Sequence, residues 1–402
     1  MATVKDLGHQ FCGDLPDLTL YDGGNHILEF EICDSDWNVV ESFSETYYVD
    51  SDIPPNNFCR VKDIGKVIRP YLEPMPLDED FLFLSCEDTY HNLSVNVRIK
   101  HYSEGDIGGE PRDIYTMTAY YADVRTDRKG RQHMHLPLFG FLSRYNWKER
   151  LINEKQKVFV SFLHYSQYTR FFLGIAYMKD GSARYREVDV PFPDAAYSVY
   201  TLYAFDAEMV LDRLKRAISE CSSVTVEDLL YFTVNLKAKD MDTDLEYPVG
   251  YIKYVFDRRH FPQEKHLLFY NAFGIWETLV LKGRDERSTQ MDATYAWIDN
   301  KYRKNTTELV MTHAHNTGFI SEIDHDTLLD LANSSHVYLY EVDTIEDEIT
   351  ITELEDNVSY PRQEPMNAKV TYRVADKQRK FKFQYYGDDV EVFDKTFDRS
   401  FE

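Results

Sequence analysis

The sequence lacks every local signature that marks a common catalytic class. No Gly-x-x-x-x-Gly-Lys-Ser/Thr run is present, so there is no phosphate-cradling loop, and Ile64-Gly65-Lys66 alone carries no such meaning. Neither a Gly-x-Ser-x-Gly nucleophile turn nor a His-Glu-x-x-His pair occurs. No apolar run approaches the roughly 18 residues that cross a bilayer as a helix, and Met1 to Asp17 has scattered charges where a signal peptide would have an apolar core. Cysteine is scarce. The five are Cys12, Cys33, Cys59, Cys86 and Cys221, an odd number at wide spacing with no Cys-x-x-Cys. That pattern argues against a disulfide framework and a zinc ribbon, and reads as buried thiols in a protein made in a reducing cytoplasm.

Basic residues are also in deficit. Lys and Arg number 45 against 69 Asp and Glu, for a net charge of −24. Sequence-independent nucleic-acid binding requires a basic patch that releases counterions, and attachment to anionic lipid requires the same. Both are disfavoured here. The charge instead suits a surface that stays soluble at high local concentration, or one that lets DNA pass without sticking.

What the chain has in excess is aromatic side chains: 30 Tyr and 25 Phe, with Trp included 15% of its 402 residues. Glycine (17) and proline (14) are few, so the chain is read as mostly β and not as loop. At this length two or three domains are expected. Residues 1–200 read as one or two antiparallel β-sandwich modules. In them Leu18 to Cys33 is a strand–turn–strand around Asp22-Gly23-Gly24-Asn25. Trp37 to Val49, Phe81 to Leu84, Leu93 to Ile99 and Tyr115 to Val124 are further strands. Lys157 to His164 and Arg170 to Tyr177 form a strand pair, and Lys179-Asp180-Gly181 turns the chain to Ala183 to Val190. Asp63 to Tyr71 is a turn or two of helix. Residues 201–390 form a second unit. It opens with a helix from Asp206 to Ser219, whose apolar positions follow the helical period behind an Asp N-cap. Strand character returns at Tyr231 to Lys237, Gly250 to Phe256, His266 to Leu281, Thr289 to Ile298 and Asn305 to Thr312. Asn316-Thr317-Gly318 then turns into a helix that starts at the capping-box pair Ser321 and Asp324 and runs to about Asn333. Val337 to Val342, Ile349 to Leu354, Ala368 to Val374 and Lys380 to Tyr386 close the unit, and residues 391–402 form an acidic tail.

Three clusters invite a metal. His133 and His135, like His313 and His315, are spaced to share one face of a strand, which is how a strand-borne metal site begins; the sequence supplies neither pair with a third ligand. Asp240-x-Asp242-x-Asp244 resembles the start of a calcium loop, but Leu245 stands where Gly is needed and Tyr251 where Glu is needed. The reading is therefore no catalytic residue, no cofactor and no metal. The many Tyr rings could also build a sugar-binding platform.

Four stretches carry a resemblance to tail-tube-like, tail-hub-like and baseplate-like virion proteins of Bacteroidetes phages, including crAss-like phages: HLLFYNAFGIWETLVLKG (266–283), HAHNTGFISEIDHDTLLDL (313–331), HVYLYEV (336–342) and residues 367–386. FCRVKDIGKVIRPYL (58–72) and FLSRYNWKERLINEKQKVFVSFL (141–163) echo them more loosely, with Lys148-Glu149-Arg150 departing from the pattern. The resemblance implies a C-terminal split β-barrel with a flanking helix beside N-terminal β-sandwich modules. It implies a non-enzymatic structural protein of the tail hub, tube or baseplate, made in the host bacterial cytoplasm and located in the virion. Its partners would be copies of itself in a ring, hexameric in such proteins, and other tail proteins. A carbohydrate-binding adhesin or tail-fibre protein is the alternative.

Overall fold

The computed structural model describes residues 2–15, 17–21, 25–48, 58–75, 88–90, 94–103, 109–122, 140–164, 169–190, 199–239, 245–298, 301–341, 344–357 and 366–375. In chain order the strands are β1 (Thr3–Phe11), β2 (Leu18–Tyr21), β3 (His26–Cys33), β4 (Val39–Tyr47), β5 (Phe58–Val61), β6 (Asp88–Tyr90), β7 (Ser94–Ser103) and β8 (Asp113–Tyr120). Then follow β9 (Lys148–Ile152), β10 (Val158–His164), β11 (Thr169–Lys179), β12 (Ser182–Val190), β13 (Val199–Phe205), β14 (Leu229–Lys239) and β15 (Glu246–Phe256). The last group is β16 (Lys265–Tyr270), β17 (Trp276–Leu281), β18 (Asp285–Ile298), β19 (Lys301–Asn316), β20 (Val337–Glu341), β21 (Thr344–Asn357) and β22 (Asn367–Val374). Three α-helices accompany them among the described residues: α1 (Ile64–Ile68), α2 (Ala207–Ala217) and α3 (Glu322–Asn333).

The chain is thus mostly β. Sheet I has the order β1-β8-β7-β3-β4, sheet II β10-β13-β6, sheet III β12-β11-β14-β15-β9 and sheet IV β17-β16-β20-β21-β22-β19-β18; β2 pairs with β5 alone. The ladders are antiparallel except β1 on β8 and β9 on β15.

Many strand positions were legible in the sequence, but β1, β6, β9 and β13 were not read as strands, and the pairings were not legible. The strands of Leu18 to Cys33 do not form a hairpin: β2 pairs with β5, and β3 lies between β4 and β7. HILEFEIC is buried on both faces, so it belongs inside a sheet with both edges occupied, and no edge is left for β2. The expected pairing of Lys157–His164 with Arg170–Tyr177 fails for the same reason. β11 is flanked by β12 and β14, and β10 pairs with β13 in another sheet. His266–Leu281 is two strands. Asn271 Oδ1 accepts the N–H groups of Phe273 (2.9 Å) and Ile275 (3.3 Å), which folds residues 271–275 into a turn. Its apolar residues Ala272, Phe273 and Ile275 are buried like strand residues, which hides the turn from a hydropathy reading. Phe81–Leu84, Lys380–Tyr386 and the 391–402 tail lie outside the described residues. Position 200, where the sequence reading divides the chain, falls inside β13, and sheet III takes strands from both sides of it.

Four apolar clusters fill the interior. Sheets II and III pack through a large aromatic core with α2 at its side; Phe171 and Tyr203 ring centroids lie 4.7 Å apart within it. α2 starts as its sequence requires, with the Asp206 carboxylate accepting from Met209 N at 2.8 Å. A second cluster lies between sheet I, β2–β5 and α1. A third joins Phe11 and Tyr120 of sheet I, Phe159 and Leu202 of sheet II, and Tyr270, Trp276 and Tyr340 of sheet IV. The fourth sets Leu328 and Leu331 of α3 against Leu267, Leu281, Val337 and Val370 on one face of sheet IV.

Sheet IV curls strongly. Its two edge strands, β17 and β18, are consecutive in sequence and joined only by residues 282–284. A link of that length reaches no more than about 14 Å between flanking Cα atoms, so the sheet bends until its edges meet at one end. Gly283 N donates to Asn316 O at 2.8 Å and Asn316 N to Arg284 O at 3.0 Å. A Cβ at Gly283 would sit 2.5 Å from that Asn316 oxygen, so the corner requires glycine. Lys282 Nζ anchors it on Asp257 at 2.8 Å. The hydrogen bonds of Arg259 and Lys282 hold that carboxyl well below the usual range, against the opposing effect of its burial. Gly318 has φ +73°, the left-handed conformation expected of the turn into α3.

Sheet I holds a buried imidazole pair. His26 Nδ1 and His101 Nε2 are 2.9 Å apart, and both residues are buried. Asp113 Oδ2 lies 3.5 Å from His101 Nδ1, with Lys5 on the same carboxylate at 3.1 Å. Burial lowers the pKa of both histidines, and the two oppose each other's charge at His26. The folded chain therefore binds fewer protons than the unfolded chain below the ordinary histidine pKa of about 6.5. Stability is complete above that pH and is lost as pH falls beneath it. Thermal melting followed from pH 7.5 to 5 is expected to show a falling midpoint, with the fall reduced in His26→Asn. Equal slopes for the two proteins would refute this assignment.

Candidate assembly surface

β18 and β19 pair from Asp285↔His315 to Ile298↔Lys301, with one register shift between Thr294 and Tyr295. β19 pairs with β22 only over His313–Asn316. Among the described residues the two strands have only each other from Thr312 outward, so a ribbon of about 12 residues per strand extends roughly 40 Å from that point. β18 has no second neighbour among the described residues, which leaves a long sheet edge open. Met291, Tyr295, Tyr302 and Met311 are large, apolar and exposed on it. The Tyr295 and Tyr302 rings stack at 5.0 Å and 8°. Lys301, Arg303 and Lys304 lie exposed beside them, a local basic excess in a strongly acidic chain.

The sequence's histidine pair sits at the ribbon base. His313 and His315 share a face, as strand alternation requires, but their partners are structural. His313 Nδ1 lies 3.2 Å from Asp285 Oδ2 and its ring stacks on Tyr372 at 5.1 Å; Arg287 Nε reaches the same carboxylate at 3.3 Å. His315 Nε2 is 3.0 Å from Gly283 O, at the corner that joins the sheet edges, and burial lowers its pKa. No group of three ligating side chains occurs among the described residues. His133, His135, Asp240, Asp242 and Asp244 lie outside them.

Where β19 parts from β22, an open cleft of about 550 Å³ is lined by Ser288, Gln290, Thr312, Thr352, Glu353 and Arg373. Beside it β21 exposes Glu346, Glu348, Glu353 and Glu355, the inverse of the ribbon's basic tip.

Sheet IV is held to sheet III by a buried polar lock that the sequence reading missed. Arg150 and Glu277 are 3% exposed each, too buried for either charge to be left alone. The Arg150 guanidinium donates to the Glu277 carboxylate and to Thr278 O, and lies 4.3 Å over the Tyr145 ring. Burial opposes its charge, but Tyr145 and Glu277 outweigh burial and keep it protonated. Tyr145 donates to Asp324 of α3 at 2.6 Å, and Thr327 donates to the Tyr145 hydroxyl at 3.2 Å. Arg144 forms a two-pronged pair with Asp330, 2.6 Å on each arm. Residues 143–150 thereby tie β9 of sheet III to β17 and α3 of sheet IV. The visible signal was the charged run Lys148-Glu149-Arg150, whose middle and outer residues face solvent while Arg150 points inward. Asp324 serves twice: its carboxylate accepts from Ser321 N at 2.9 Å, completing the capping box seen in the sequence.

No helix among the described residues is long and apolar enough to cross a membrane. No protein-family model matches the chain, and no curated protein matches it.

Proposed function

We propose that this chain is a structural protein of a phage virion, a component of the tail hub, tail tube or baseplate, that assembles with copies of itself into a ring around the DNA channel. The observation that carries the reading is the β18–β19 ribbon. A two-stranded arm some 40 Å long, open along both edges among the described residues and studded with exposed Tyr and Met, is a liability in a monomer and a joint in an assembly. Its basic tip and the glutamate face of β21 are complementary surfaces on different parts of one molecule. Such a contact is head-to-tail, and head-to-tail contacts close into rings when the rotation per subunit permits. The curl of sheet IV, with its edges meeting at the 282–284 corner and α3 packed on one face, supports a split barrel as the ring-forming unit. The sandwich-like packing of sheets II and III supports a decorating module. The net charge of −24 favours a lumen that DNA traverses without adhering.

Light scattering on the purified protein tests this. Increasing concentration at low salt is expected to convert 47.4 kDa monomers into a closed oligomer of fixed mass, sixfold by the resemblance, that weakens as salt is raised. A monomer at every concentration, with and without other tail proteins, would sink the proposal; a trimer would move the chain to the fibre class.

A further inference from the structure

The outer face of sheet III carries side chains that neither the core nor the ribbon uses. Cross-strand register sorts them into adjoining rows. Tyr251, Asn235 and Phe172 stand side by side across β15, β14 and β11. Lys253, Thr233 and Gly174 form the next row, and Tyr231 and Tyr185 belong to the third. Trp147 extends the first row beyond Tyr251, its ring stacked at 6.5 Å and 25° on that tyrosine.

Two features set this face apart from ordinary sheet surface. Trp147 is 54% exposed and has φ +66°, a left-handed conformation that a bulky side chain rarely adopts. Strain of this kind persists only where surrounding structure enforces it, and it concentrates at functional positions. Here it presents an indole to solvent beside Tyr251. In the middle row, Gly174 leaves room that the Tyr185 side chain fills: a Cβ there would meet the Tyr185 hydroxyl at 2.0 Å and Thr233 Oγ1 at 2.5 Å. Tyr185 therefore lies across the sheet with its hydroxyl above a polar floor, where Asn235 Nδ2 donates to Thr233 Oγ1 at 2.8 Å. Lys253 Nζ sits 4.7 Å over the Tyr231 ring.

From these observations we infer that the outer face of sheet III is a binding platform for an uncharged glycan. Pyranose rings offer apolar C–H faces bordered by hydroxyls, and the platform answers with the exposed Trp147 and Tyr185 rings, the half-buried Tyr231 and Tyr251 between them, and the polar groups of Asn235, Lys253 and the tyrosines. From β15 to β12 it extends about 14 Å across the strands, room for more than one sugar ring. Its charges are of both signs and largely offset one another: Lys253 pairs with Glu149 at 2.7 Å and Arg170 with Asp189 at 3.1 Å and Glu246 at 3.0 Å, while Lys237, 4.5 Å over the Phe172 ring, and Glu187, opposite Gly174, add one charge of each sign. In a chain of net charge −24 this locally balanced face matches a neutral ligand and gives no excess cation to a nucleic acid or an acidic polysaccharide. A protein contact of comparable size would centre on a desolvated apolar patch, whereas the middle of this face is polar.

Native electrophoresis of the full chain through gels containing laminarin, xylan, mannan or soluble starch tests the inference. Retardation by at least one of the four is expected. Trp147→Gly should weaken it at least tenfold while leaving the melting temperature equal or higher, because glycine accepts the left-handed backbone without strain. Trp37→Gly, at the other tryptophan with positive φ (+64°), should leave retardation unchanged. No retardation in any of the four gels overturns the inference, and so does equal retardation of wild type and Trp147→Gly. Loss of self-association in Trp147→Gly without polysaccharide retardation would assign the face to a protein contact instead.

Discussion

Arg150→Met is expected to lower unfolding stability by about 3–5 kcal/mol, the range for removing one partner of a buried ion pair. The substitution keeps the volume of the side chain but strips Glu277 of its counter-charge in a site that water does not reach. It also removes the donor to Thr278 O and the cation over Tyr145. Glu277→Leu should do comparable damage by stranding the guanidinium. The double variant Arg150→Met/Glu277→Leu should recover most of the loss, since a well-packed apolar pair replaces a buried ionic one at little net penalty. Urea unfolding of the three variants reads all of this. Single variants that each lose under about 1 kcal/mol would mean that the pair is hydrated and that the lock between sheets III and IV lies elsewhere. In Arg150→Met α3 should also loosen, because Tyr145, which joins Asp324 and Thr327, loses the cation stacked on its ring. Faster amide exchange in residues 322–333 is the signature.

The second large effect concerns assembly. Replacing Ser288–Thr312 by Asn-Gly joins Arg287 directly to His313, its ladder partner, through a two-residue turn of the kind that closes hairpins. The base contacts among Asp285, His313 and Tyr372 are retained, and no described side chain between Ser288 and Thr312 is buried. Stability should change by no more than about 0.5 kcal/mol, as for surface substitutions, while self-association disappears. A shortened chain that still assembles would show that the ribbon is incidental to the joint, and an unfolded one would show that the ribbon supports sheet IV.

These two predictions divide along what the sequence made legible. Local structure was readable where one short segment determines it: the Asp206 N-cap, the Ser321–Asp324 capping box, the left-handed Gly318 and the Asp180-Gly181 turn all act within a few residues. The ribbon was half readable. Thr289–Ile298 and Asn305–Thr312 look like strands, but the fact that β22 abandons β19 at His313 depends on residues some 60 positions away. Pairing was not readable, because β3 and β11 each have two suitors and hydropathy does not say which. Nor was the Arg150–Glu277 lock, whose partners are 127 positions apart and look like solvent-facing charges in any local window. The platform on sheet III hides in the same way. Tyr185, Tyr231, Tyr251 and Trp147 are scattered through the sequence and meet only because β12, β14, β15 and β9, which Trp147 precedes, belong to one sheet in the order β12-β11-β14-β15-β9.

The most direct test of the account is a set of particle images of the purified chain at high concentration and low salt. The account predicts annular particles with a central lumen and sixfold symmetry, with the β18–β19 ribbon bridging neighbouring subunits. Single compact particles of one chain, or elongated trimers without a lumen, would contradict it.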